Sequence, residues 1–176
     1  MYRRLTALFA AVLVMALALT WVFMSMRAVM DVGGACASGG AYEIATPCPD
    51  NVAVFMTLGI PLMLVCAFIG SWIAVSIGAP DLLIPMWLLL FGSLGWNFLE
   101  YGMFGDDLVW GWIVCGVLFE AMALPALLFL LPFGNNGPVR LNPNPNPSRR
   151  GAWLLAYAVL GVVGAGLGWA TFVAWN

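Results

Sequence analysis

The feature that most constrains this chain is its recurring apolar run, broken only by short polar segments. At about 1.5 Å of rise per residue, about 20 helical residues cross a ~30 Å hydrocarbon core. Runs of that length occupy residues 5–29, 52–77, 82–104, 108–131 and 153–175. Hydrophobic residues make up 64% of the chain and charged ones 8%. A soluble domain sits near about half apolar and about a quarter charged. In lipid every backbone N–H and C=O must be paired inside the protein, which leaves a helix as the solution for runs this long. The expected fold is therefore all-α: one transmembrane domain over 1–176, a bundle of five transmembrane helices. An outer loop at 30–51 and a proline-rich loop at 132–152 complete it.

The first run competes with a signal peptide, since Ala16-Leu17-Ala18 has the small-residue look of a cleavage site. A signal peptide's apolar region spans only about 7–15 residues. This run is longer, so a retained helix is expected. Glycine and proline punctuate 31–51, arguing against helix there. Asn142-Pro143-Asn144-Pro145-Asn146-Pro147 alternates proline and favours an extended linker.

Arginine sets the orientation. The chain has no lysine and no histidine, and its basic residues are Arg3, Arg4, Arg27, Arg140, Arg149 and Arg150. With the N-terminus cytoplasmic, all but Arg27 lie inside, as the positive-inside rule requires. The C-terminus and the acids Asp31, Glu43, Asp50, Asp106 and Asp107 then lie outside. Trp110, Trp112, Trp153 and Trp175 fall at helix ends, where interfacial belts form. Cys36 and Cys48 share the outer loop, in a compartment where disulfides persist. A disulfide between them is expected, worth roughly 3 kcal/mol in the chain-entropy model; two unpaired thiols are the alternative. Their spacing does not fit the Cys-x-x-Cys of a redox enzyme. Cys66 and Cys115 lie within spans and read as small packing residues.

The polar residues inside the spans are few. Glu100 and Glu120 are the carboxylates well within them. A charge at the centre of a membrane helix costs about 2.5–3.5 kcal/mol or more, so such groups face the bundle and take partners. Ser93, Asn97, Glu100 and Tyr101 follow i, i+3 and i, i+4 spacing and form one stripe on the third helix. Counting from the helix ends puts Glu100 about 6 Å deep and Glu120 about 18 Å deep. They are too far apart for an acid–base dyad. Ser93 counts to the depth of Glu120, so a ladder Glu100–Asn97–Ser93–Glu120 is expected. Arg27 lies near the depth of Glu100. It can pair with Glu100, or locally with Asp31 at i+4, or extend its guanidinium to water. Gly116 and Ala123 share the face of Glu120 and admit a close neighbour. Gly161, Gly164 and Gly168 form a helix-packing face on the fifth helix.

Without histidine the chain has no zinc, haem or Ser-His-Asp pattern, and no cofactor or metal is expected. No basic patch points to nucleic acid. Pro125-Ala126-Leu127 and Gly105-Asp106 resemble pieces of intramembrane aspartyl proteases, but Asp106 and Asp107 sit at the water boundary. Enzymatic activity is not expected.

Two segments carry a resemblance: Cys36 to Ile44 with Cys48-Pro49, and Trp96-Asn97-Phe98-Leu99-Glu100-Tyr101-Gly102. They resemble a family of small uncharacterised bacterial multi-pass integral membrane proteins. The resemblance covers the first four helices and implies no activity. The expected function is a scaffold, accessory or assembly subunit of the bacterial plasma membrane. Its partners would be membrane lipids and another membrane protein or a second copy. The alternative is a small transporter or channel with a proton or cation path through Glu100 and Glu120.

Overall fold

The computed structural model describes residues 2–34, 36, 46–105, 107–130 and 147–175, with the backbone alone for 147–150. Glu43, Asp106, Arg140, the linker 131–146 and the side chains of Arg149 and Arg150 lie outside the described residues. Five helices follow in order: α1 (Tyr2–Asp31), α2 (Val52–Ser76), α3 (Leu83–Phe104), α4 (Trp110–Leu130) and α5 (Pro147–Trp175). All five are long and apolar enough to cross a membrane. The described residues thus form an all-helical fold whose five helices suit a multi-pass membrane protein.

The helix ends follow glycine. After α1, the Gly34 amide donates to the Val29 carbonyl and the Gly33 amide to Met30. Both glycines have positive φ, 97° and 78°. After α2 the pattern repeats: Ala79 donates to Ala74, Gly78 donates to Val75, and Gly78 has φ 70°. This is the Schellman arrangement, in which a left-handed residue lets the next amides close the helix. Glycine adopts that conformation without a Cβ clash. The fifth helix starts earlier than the proline alternation predicts. Pro147 is its first residue, a position where the missing N–H is no loss and the fixed φ already suits a helix.

Helix α1 is the hub. It packs along α2 and α5 and touches α3, and α3 pairs with α4 as an antiparallel hairpin. Against α2, Met15 and Ala18 meet Met63 and Ala67, and Met86 of α3 closes the cluster. At the other end Leu8 and Val12 pack with Ala74, Ala79 and Leu82. The Ser71 hydroxyl there accepts the Leu82 amide at 3.2 Å, and the Tyr157 hydroxyl donates to the Pro80 carbonyl at 3.0 Å. Those two bonds tie the α2–α3 turn to both neighbours.

The α1–α5 contact is built on glycine. Gly164 lies against the Leu13 carbonyl, and a Cβ on Gly168 would stand 2.7 Å from the Leu17 carbonyl oxygen. No side chain fits between those backbones. Gly161 departs from the expected packing face, because a Cβ there meets nothing within 4 Å. The reason is size. Trp153, Tyr157 and Leu160 fill the space toward the Leu8–Val12 cluster, and Trp153 sits edge-on to Phe9. These large side chains hold α5 off α1 below Gly164.

A Gly168→Val substitution therefore forces α1 and α5 apart and destabilises the bundle by about 1–3 kcal/mol, the usual cost of overpacking. Gly161→Val changes stability little. Denaturant titration of the two variants in mixed micelles reads the contrast, and equal losses would show that α1 and α5 do not pack through this face.

Candidate functional site

Arg27 leaves α1 one turn before the helix ends, so its side chain reaches across rather than out. Its guanidinium meets Glu100 of α3 in two parallel contacts: Nη1 to Oε2 at 2.6 Å and Nη2 to Oε1 at 3.0 Å. Nη1 also donates to Asn97 Oδ1 at 3.2 Å. One arginine thus grips two residues one helical turn apart. A planar guanidinium matches a carboxylate in this forked geometry, which a lysine ammonium cannot do. Asp31, the local rival for Arg27, takes a different partner, the Tyr101 hydroxyl, which donates to its Oδ1.

Aromatic rings surround the charge. The Arg27 guanidinium carbon lies 5.2 Å from the Tyr101 ring centre and 5.8 Å from that of Phe23, within the range where a cation is drawn to a ring face. Tyr101 in turn meets Trp112 of α4 edge-on at 6.5 Å. Trp112 presses on Gly34, where a Cβ would stand 2.6 Å from the indole. The end of α1, its glycine cap, α3 and the start of α4 therefore meet at one point. The paired side chains are 29% and 32% exposed, whereas Asn97 beneath them is fully buried. Asn97 Nδ2 finds no hydrogen-bond partner among the described residues, so its use here lies in the acceptor oxygen it gives Arg27.

The expected ladder to Glu120 stops at Asn97. The Ser93 hydroxyl donates to the Leu90 carbonyl of its own helix at 3.0 Å. Glu120 lies on the far side of α3, against Gly95: a Cβ on Gly95 would stand 2.8 Å from Glu120 Oε1. Depth counting placed Ser93 and Glu120 level, but helical rotation separates them. Ser93 and Asn97 are each two residues from Gly95, roughly 200° around the helix at 3.6 residues per turn, so they face α1 while Gly95 faces α4. The small face predicted around Glu120 does receive α3, with Gly116 against Leu99 and the Gly95 carbonyl. Phe119 stacks with Phe91 and Phe98 on the hairpin's other flank. Trp87 donates its indole N–H to the Met122 carbonyl at 3.0 Å, in the turn that Pro125 disturbs by lacking an amide.

Cys36 and Cys48 stand at disulfide distance, with Sγ–Sγ 2.07 Å and Cα–Cα 4.9 Å. Cys66 and Cys115 are free. A groove of about 550 Å³ opens between α2 and the α2–α3 turn, lined by Phe68, Trp72, Val75, Asp81 and Leu83 among others. Neither Glu100 nor Glu120 borders it. Among the described residues no three histidine, cysteine or carboxylate side chains gather as metal ligands would.

Chemically the seam is a clamp. Its cation and carboxylate satisfy each other, and its phenol is committed to Asp31. Sequence reasoning brought Arg27, Asn97, Glu100 and Tyr101 into one group but overlooked three residues. Phe23 was available from its i−4 spacing to Arg27. Trp112 and Gly95 act through contacts between helices, and nothing in their local sequence announces that.

Removing one partner leaves the other charge uncompensated. Arg27→Ala or Glu100→Ala is expected to cost about 1–3 kcal/mol, between the values for exposed and buried pairs. Arg27→Lys recovers only part, and the double alanine variant loses less than the two singles together. Unfolding titrations of this cycle measure the coupling; additive losses would mean that the contact contributes nothing.

Compared with family models, curated proteins and solved structures, the chain matches none, so its functional reading rests on its own chemistry.

Proposed function

We propose that this protein is a non-catalytic scaffold, accessory or assembly subunit of a bacterial plasma membrane. The observation that carries the reading is the use made of its polar residues. Arg27, Asn97 and Glu100 are spent on joining α3 to α1, and Asp31 and Tyr101 on closing the same junction. A conduction path needs polar groups free to exchange partners; Arg27 and Glu100 are instead committed to each other in a bidentate pair flanked by two aromatic rings. The groove beside α2 is bordered by neither Glu100 nor Glu120. Large apolar side chains cover the outer faces of α2, α4 and α5, including Phe68, Trp72, Val117, Leu128, Val162 and Trp169. Those faces suit lipid or the helices of a partner.

In this reading the N-terminus is cytoplasmic, and the loop closed by Cys36 and Cys48 lies outside with the C-terminus. The distribution of arginine supports that orientation, and so does a cysteine pair in the compartment where disulfides last. The rival reading, a small transporter, draws on Glu120, a carboxylate at the midpoint of α4.

Two measurements test the proposal. Purified protein in pH-sensitive dye vesicles is expected to pass protons no faster than protein-free vesicles. Flux that Glu120→Gln abolishes would establish the transporter instead. A cysteine introduced at Arg140, on a background lacking Cys66 and Cys115, is expected to react with an impermeant maleimide only after the cells are permeabilised. Labelling of intact cells would reverse the topology.

A further inference from the structure

Glu120 is the eleventh residue of the 21-residue helix α4 and so lies at its midpoint. Such a carboxylate calls for a partner. Glu100 has one in Arg27. Glu120 has neither an ion pair nor a hydrogen bond among the described residues, and it stays partly accessible beside the Gly95 backbone. Phe119, the residue before it, seals one flank of the hairpin against Phe91 and Phe98. Glu120 therefore turns to the opposite flank.

That flank carries a second feature within one helical turn of the carboxylate. Gly92 of α3 lies one turn from Gly95, and a Cβ there meets nothing within 4 Å. Gly164 and Gly168 of α5 show how close a neighbouring backbone comes at a covered glycine; Gly92, like Gly161, is left open. Around Gly92 and Glu120, the side chains of Trp96, Val117 and Leu124 are exposed. The flank thus offers an apolar surface, a glycine notch and a carboxylate, all near the middle of α3 and α4.

We infer that this flank docks a transmembrane helix of another protein, one carrying a lysine or arginine at its midpoint. The inference rests on the scaffold reading and names the partner's chemistry. Charge complementarity selects the occupant. A second copy of this chain fails the requirement: it has no lysine or histidine, and none of its six arginines lies near the middle of a span. The notch lets the incoming backbone come close enough for a long basic side chain to fold back onto Glu120.

The test uses the full-length protein in phosphatidylcholine vesicles, with a donor dye on the protein and an acceptor on synthetic polyleucine transmembrane peptides. The peptides carry Lys, Leu or Glu at the central position. The Lys peptide is expected to associate about tenfold more tightly than the Leu peptide, and the Glu peptide more weakly than either. Glu120→Gln should erase the preference for Lys. Gly92→Leu, which fills open space and leaves the carboxylate in place, should weaken the Lys peptide alone. Equal binding of the three peptides overturns the inference, and so does energy transfer between two labelled copies that depends on Glu120. Proton flux through Glu120 would overturn the scaffold reading itself; loss of Lys selectivity without flux removes only the docking site.

Discussion

The structure depends on the grip of one guanidinium. Without it, α3 and α4 form a hairpin that touches the α1–α2–α5 unit through modest apolar contacts. The hydrophobic effect cannot draw helices together in lipid as it does in water, because lipid tails are as apolar as leucine. Packing and polar contacts must provide the attraction. Arg27 supplies it at one end of the bundle, where Nη1 and Nη2 hold the Glu100 carboxylate and Nη1 also reaches Asn97. At the other end Ser71 and Tyr157 hold the α2–α3 turn by neutral hydrogen bonds. The hairpin is fastened by polar contacts at both ends and by the Met15–Met63–Met86 cluster between them.

Glycine performs the complementary task. Each closely packed pair of helices approaches at a glycine: Gly59 at Val22 and the Ala18 carbonyl, Gly116 at Leu99, Gly164 and Gly168 at the backbone of α1. These contacts exchange side-chain volume for backbone proximity, which strengthens dispersion along the whole seam. The polar clamp fixes which helices meet, and the glycines fix how closely.

Much of this was readable in the chain. The five spans followed from apolar run length, because backbone pairing in lipid leaves little choice. The stripe through Asn97, Glu100 and Tyr101 followed from helical spacing. The partner of Arg27 did not, since Asp31 and Glu100 both lay within reach; the structure gives Asp31 to Tyr101 and frees Arg27 for α3. The ladder to Glu120 failed because counting residues measures depth and not rotation. Gly161 failed for a related reason: a pattern shared by Gly161, Gly164 and Gly168 says nothing about Trp153 and Tyr157, whose bulk sets the local distance between helices. Spacing rules describe one helix at a time, and both failures arise where two helices must agree.

The hub role of α1 bears on how the protein is made. A ribosome releases α1 well before α5, yet the two lie side by side, with Gly168 on the Leu17 backbone, Trp21 donating to the Thr171 hydroxyl and Asn51 donating to the Trp175 carbonyl. Until α5 enters the membrane, the Leu13–Leu17 side of α1 faces lipid. The α1 seam is therefore closed only once α5 is made, and a nascent chain stalled before α5 presents that flank of α1 to whatever other helices share the bilayer.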